Sequence, residues 1–159
     1  MSKYSVTTQS HASPAVPATA TAFKTLINLS AATAALRKGW IYDVAVGTDG
    51  TPADNAMVFQ IDRQTTLGTG GQTATITPLD STDPAAGLVG TINIATTEPT
   101  TTAGTALLVL GINQRATYRW VAAPGGELVV PGTNLAGLGL RVKSPAYTGT
   151  ATGAIHFWE

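Results

Sequence analysis

Several residue types that build functional sites are absent or scarce in this chain of 159 residues. There is no cysteine, which excludes a disulfide framework and a thiolate metal site. Two histidines, His11 and His156, are too few for the inward-facing histidine cluster of a cupin-type metal centre. No apolar run approaches the roughly 20 residues of a membrane span. The N-terminus has one lysine and no apolar segment, which predicts that it is not a secretory signal.

Charge is also scarce, at 11% of residues against about 25% in a typical soluble domain. Nine basic and nine acidic residues are scattered singly, so no basic stripe indicates nucleic-acid binding. The sequence has 27 threonines and 25 alanines instead, and β-branched threonine favours strands. A neutral, charge-poor surface does little to resist association. We therefore expect neighbouring subunits to cover much of it; the alternative is a monomer kept soluble by hydroxyl groups.

Alternation of apolar and polar residues predicts about eight strands, separated by turns rich in Gly, Pro, Thr and Asp. Residues 105–112 are nearly all apolar and are predicted to form the most buried strand. This pattern is typical of an all-β antiparallel sandwich, and the long links favour a jelly-roll-like connection. The clearest predicted strands are 21–28, 40–46, 56–63, 105–112, 116–122, 135–143 and 150–159. Met57, Phe59 and Ile61 are predicted to share one face of their strand, and Leu138, Leu140 and Val142 to lie on the inner face of theirs.

The first 20 residues are polar and small, with Pro14 and Pro17 and no periodicity. We predict an extended N-terminal arm over residues 1–20 and a sandwich domain over residues 21–159. Removal of the arm is then expected to leave a folded domain.

One segment, Ser30 to Lys38, is a candidate for a short helix. Ser30 could cap it, and Gly39 could end it. At about two turns, it is equally well interpreted as a loop with one helical turn.

No motif in the sequence indicates catalysis, a metal or a cofactor. The G-x-S-x-G motif of serine hydrolases is absent, and His156 is predicted to face away from the core. Asp49, Asp54 and Asn55 lie in one loop, but turn chemistry explains them and the calcium-loop pattern is absent. We therefore expect a protein that is not an enzyme, with no cofactor and no bound metal.

Some residues are better explained by contacts with other subunits. Trp40, Tyr118 and Trp120 are predicted to face the core. Trp158 is predicted to point outward and is assigned to a subunit contact, to its own sheet or to a ligand. Outward-facing basic residues on two predicted strands would suit an acidic neighbour. The predicted interface residues are Tyr4, Val6, Arg119, Arg141, Lys143, His156 and Trp158.

Two segments resemble the small structural proteins encoded in the head gene clusters of tailed bacteriophages. They are AFKTLINLSAATAALRKGWIYDVAVGTDGTPADNAMVFQIDR and NQRATYRWVAAPGGELVVPGTNLAGLGLRVKSPAYTGTATGAIHFWE, over about residues 22–63 and 113–158. The similarity is to proteins that decorate, or cement, the capsid. The similarity lies in the general character of these two segments and not in a defined motif.

This resemblance implies a non-enzymatic β-sandwich that binds the outer surface of a phage head. The implied partners are copies of the same chain, as a homotrimer, and the major capsid protein. The chain would be made in the host cytoplasm and end on the virion, with no membrane and no nucleic acid as partner. The alternative is a carbohydrate- or receptor-binding sandwich of a phage appendage, such as a head fibre or a tail.

Overall fold

A computed structural model describes residues 1–8, 22–34, 36–93, 96–144 and 149–159 of the chain. Within these ranges the chain forms two antiparallel β-sheets packed against each other, and no helix is present. The prediction of an all-β sandwich is therefore confirmed. The described residues also contain no helix that is long and apolar enough to cross a membrane.

The first sheet has its longest strands, β3 and β12, side by side at its centre. Its order is β10-β3-β12-β1-β6, and β9 pairs with β3 beside β10. Its strands are β1 (Lys3–Thr7), β3 (Gly39–Gly50), β6 (Thr77–Pro78), β9 (Tyr118–Val121), β10 (Leu128–Val130) and β12 (Gly149–Trp158).

The second sheet has the order β5-β7-β2-β11-β4-β8. At its centre Gly137 of β11 lies so close to β2 that an added Cβ would be 2.1 Å from the Leu29 carbonyl oxygen, so only glycine fits there. Its strands are β2 (Lys24–Ala31), β4 (Ala56–Gln64), β5 (Gln72–Thr73), β7 (Leu88–Ile92), β8 (Thr101–Asn113) and β11 (Gly137–Lys143).

The core lies between the two sheets, and β4, β11 and β12 contribute alternate residues to it. On β4 and β11 these are the residues that the sequence pattern predicts to face inward. They are Met57, Phe59 and Ile61 on β4, and Leu138, Leu140 and Val142 on β11.

The predicted N-terminal arm is wrong over residues 3–7, because these form β1 inside the first sheet. β1 pairs with β12, from Lys3 opposite Trp158 to Thr7 opposite Ala154. Tyr4 and Val6 are buried in the core of their own chain, so their predicted role in a subunit interface is wrong too. Residues 9–20 of the predicted arm lie outside the described residues.

The apolar run at residues 105–112 was expected to be the most buried strand, and this is wrong. It belongs to β8, which lies at one end of the second sheet and contacts a neighbouring strand, β4, on one side only. Val109 keeps 56% of its surface exposed. A continuous apolar run therefore marks an exposed edge in this protein.

The candidate helix at Ser30 to Lys38 does not form among the described residues; Ala35 lies outside them. Ser30 and Ala31 end β2, where they pair with Gly137 of β11 and with Leu88 of β7. The segment then continues as a loop to β3. Pairing on both sides of β2 outweighs the helix propensity of the alanines.

The burial of Tyr4 makes β1 part of the folding unit. Its ring stacks on Phe157 with centroids 5.4 Å apart, and its hydroxyl donates to the Pro84 carbonyl oxygen at 3.1 Å. We expect Tyr4→Ala to lower the free energy of unfolding by about 3–5 kcal/mol in urea melts, through the cavity and the lost hydrogen bond. Ser5→Ala on the outer side of β1 is the control, with an expected change within about 0.5 kcal/mol. An equally small loss for Tyr4→Ala would contradict the role of β1 in the core.

Candidate functional site on the outer face of the first sheet

The outer face of the first sheet carries an unusual set of aromatic and charged side chains. Along β12, Ile155 and Phe157 point into the core, so His156 and Trp158 point outward. The pairing of β3 with β12 shifts at a β-bulge, because Phe157 lies opposite Ile41 and His156 opposite Asp43. We call this surface the aromatic face, and its residues are Trp40, Tyr42, Asp43, Arg119, His156 and Trp158.

Two tryptophans from neighbouring strands stack at one end of the aromatic face. Trp40 and Trp158 are direct cross-strand partners, with ring centroids 4.1 Å apart and planes 9° from parallel. Each indole therefore covers one ring face of the other, and both remain half-buried. Trp158 points outward as predicted, and it packs on its own sheet. Trp40 was expected on the inner face, but the bulge at Tyr42 changes the alternation.

Asp43 lies at the centre of the charged groups of the aromatic face and contacts both Arg119 and His156. Its side chain is only 3% exposed, whereas that of its partner Arg119 is 67% exposed. Arg119 donates from Nε to both carboxylate oxygens at 2.9 and 3.1 Å, and from Nη2 to Oδ2 at 2.6 Å. On the other side, His156 Nδ1 lies 3.1 Å from Oδ2. The carboxylate is thus held by two neighbouring strands.

These contacts shift the protonation of two groups. The hydrogen bonds from Arg119 hold the pKa of the Asp43 carboxyl below its usual range, against the opposing effect of burial, and the contact with His156 adds to the lowering. Burial, followed by the negative charge of Asp43, raises the pKa of Tyr42 above its ordinary value. At neutral pH the aromatic face therefore contains an ionised carboxylate beside a neutral phenol.

A row of three residues crosses the sheet at this point, with residue types familiar from serine hydrolases. Asp43 pairs with His156, and His156 pairs with Ser5 of β1. None of the described hydrogen bonds joins Ser5 to His156, which a triad requires of its nucleophile and base. Sequence reasoning missed the row because its members are brought together only by strand register.

An open depression of about 570 Å³ adjoins the aromatic face on the side of Arg119. Small residues of β3 and β12 line it, including Ala45, Gly47 and Ala154, and Tyr118 and Arg119 border it. Tyr118 is 45% exposed because β9 lies at the sheet edge, so its predicted place in the core is wrong. Trp120, on the same strand, does pack against the core as predicted.

Two of the predicted interface residues, Arg141 and Lys143, lie on the other sheet. Arg141 is bound to the buried carboxylate of Asp62 at 3.0 Å. The charged groups of Arg141 and Lys143 both lie over the Phe23 ring, 5.1 and 5.2 Å from its centroid. The structure thus brings Arg119, His156 and Trp158 together on the first sheet. Arg141 and Lys143 lie apart from them, on the second sheet.

The described residues contain no group of three or more His, Asp or Glu side chains placed to hold a metal ion. Comparison with known proteins adds no assignment: no protein-family model, no curated protein and no solved structure matches the chain.

The ion pair of Asp43 with Arg119 should make the free energy of unfolding depend on pH. Since the folded pKa is lowered, ionised Asp43 contributes stability above its unfolded pKa of about 3.9, and this contribution is lost as the pH falls through the folded pKa. We expect Asp43→Asn to cost about 1–2 kcal/mol at pH 7, a range that allows for the exposure of Arg119.

Denaturant melts of the wild type and Asp43→Asn at pH 7 and near pH 3 measure this effect. The difference between the two proteins should shrink on acidification. Asp83→Asn is the matched control, since Asp83 takes part in none of the ion pairs among the described residues. A difference that stays constant over this pH range would show that ionisation of Asp43 is not its cause.

Proposed function

We propose that this protein is a non-enzymatic structural protein of a virion, which decorates the outer surface of a phage capsid. The aromatic face is the proposed docking surface for the major capsid protein. The expected unit is a homo-oligomer, with three copies as the favoured number. Support comes from the resemblance stated above and from the chemistry of this face.

The observation that carries the proposal is the concentration of interface residue types on one face of the first sheet. Tryptophan, tyrosine and arginine dominate the residues that contribute most to protein–protein binding, and the aromatic face holds all three. Val121 extends it, because it lies opposite Asp43 and is 57% exposed. Such a surface suits a protein partner.

The charges of this surface favour an acidic partner. Arg119 is balanced by Asp43, and Lys3 at the edge of the face lies 5.7 Å from the centroid of the Tyr42 ring. Lys3 thus leaves the face with an excess of positive charge. A capsid offers the same site many times, so modest affinity per copy is multiplied when copies are linked.

Carbohydrate or receptor binding is the second candidate, and the depression beside Arg119 is the observation that favours it. Its volume falls within the range of about 300–1,000 Å³ common for small-molecule sites. Three threonines, Thr7, Thr117 and Thr152, are among the residues that line it. The stacked tryptophans support this candidate less, because each already covers one ring face of the other.

Charge placed at the edge of the aromatic face should weaken docking. We expect Val121→Lys to reduce binding to expanded, undecorated heads of the encoding phage by at least about tenfold, since a lysine there must be desolvated on contact. Co-sedimentation of the purified protein with the heads measures this.

Val89→Lys is the control, since Val89 is also exposed on a strand but belongs to the second sheet. It should bind as the wild type does. Equal binding by all three proteins would exclude the aromatic face as the docking surface, and no binding by the wild type would refute the capsid proposal.

The second candidate makes a different prediction. If the depression binds a sugar, a glycan array should give hits that are lost in Thr152→Lys, whose side chain would fill the depression. Hits that survive this substitution would place any sugar site elsewhere, and an array without hits would reject the candidate.

A further inference from the structure

The strand β8 ends the second sheet with a long edge that no strand of the described residues covers. It spans 13 residues, Thr101–Asn113, and none of the described strands pairs with its outer side. Edge strands of soluble proteins are usually protected by lysine, proline or a covering loop, because free N–H and C=O groups invite another strand. β8 contains no charged residue and no proline.

The side chains of β8 are apolar toward both faces of the sheet. Leu108, Leu110 and Ile112 face the core and pack against its rim, where they remain partly exposed. Val109 points to the outer face and is 56% exposed. An added strand would therefore continue the inner apolar row and also cover the outer valine.

We propose that β8 pairs antiparallel with β8 of a second copy of this chain, about a two-fold axis through Leu110. Seven residues, 107–113, would form the pairing seam. The second sheet of one copy and the second sheet of the other would then form one continuous sheet of twelve strands, with main-chain hydrogen bonds across the seam.

The side chains of β8 complement themselves in this register. Val109 lies opposite Gly111 of the second copy, and a Cβ placed on Gly111 would have no atom within 4 Å in the single chain. The exposed valine thus enters the open space above the glycine. Leu108 faces Ile112 in the same way, so the inner rows of the two copies join.

Charge and backbone shape favour a copy of this chain over an unrelated strand. A two-fold axis places identical residues of the two copies close together, and identical charges would repel each other there. β8 has no charged residue, so no such repulsion arises. A register shift near Leu107 and the left-handed Gly104, with φ of +74°, interrupt the regular strand. These irregularities limit the seam to the apolar half of β8.

The seam does not depend on the proposed role at a capsid, since it concerns only copies of the chain in solution. A two-fold contact joins subunits in pairs. If the expected trimer also forms, the seam would link two trimers, and the assembly would in either case contain an even number of chains.

Sedimentation analysis of the full chain tests the seam. The wild type should contain an even number of chains, and Val109→Lys should halve the mass while the far-UV circular dichroism still shows the folded β-sheets. Val121→Lys on the first sheet, with a valine of similar exposure, should keep the wild-type mass. A wild-type monomer at about 1 mM, or no change in mass for Val109→Lys, would overturn the proposal.

Cysteine crosslinking tests the register, and the natural chain has no cysteine to interfere. In the proposed register residue 109 lies opposite residue 111, whereas two copies of residue 109 are diagonal neighbours about 7–8 Å apart, beyond disulfide reach. A mixture of Val109→Cys and Gly111→Cys proteins should therefore crosslink on mild oxidation, and each protein alone should not. Crosslinking of Val109→Cys alone, or none in the mixture, would refute this register.

Different results would overturn the capsid docking of the aromatic face and the pairing through β8. Loss of capsid binding in Val121→Lys with the mass unchanged concerns the aromatic face, and loss of mass in Val109→Lys concerns the seam. A protein that pairs through β8 and does not bind phage heads would keep the seam and refute the capsid role.

Discussion

The pairing of β12 with β3 on one side and β1 on the other is the constraint on which the first sheet depends. β12 supplies ten consecutive residues to β3 and five to β1. Its register fixes which side chains reach the core and which reach the outer face. Without β12, β3 and β1 have no contact through the sheet, and Tyr4 has no Phe157 to stack on.

That register also determines the chemistry of the outer face. A single bulge, at Tyr42 opposite the step from His156 to Phe157, places Trp40 beside Trp158 and Asp43 beside His156. Asp43 is then buried by its neighbours, and a buried carboxylate is tolerated only when it is paired. Arg119 from β9 meets this requirement, so the short edge strand is bound to the sheet by charge as well as by its ladder.

The inner faces of the long strands could be predicted from the sequence because their alternation is regular. Met57, Phe59 and Ile61 are examples, and all three are buried. The position of β8 could not be predicted this way, since an apolar run has the same composition in a central strand and at an exposed edge. β1 was mistaken for an arm because it is short and has only two apolar residues, Tyr4 and Val6.

The candidate site was harder to predict than the fold. An outward direction for His156 and Trp158 follows from alternation, but their partners Asp43 and Trp40 are more than 100 residues away in the sequence. Only strand register brings them together, and the bulge at Tyr42 reverses the expected direction of Trp40. For Arg119, its exposed position on the sheet was expected, whereas the buried carboxylate that binds it was not.

The adjacency of β1 and β12 has a consequence for the order in which the protein can fold. Thr8 and Gly153 are hydrogen-bonded across 145 residues of sequence, so this contact forms only after the chain has been synthesised as far as Gly153. Contacts between distant residues slow folding, because a long loop must close before they stabilise anything. During synthesis, Tyr4 and Val6 must therefore wait, unpaired with β12, while the uncharged β8 has already emerged from the ribosome. The nascent chain thus exposes the apolar run of β8 before its first sheet can close.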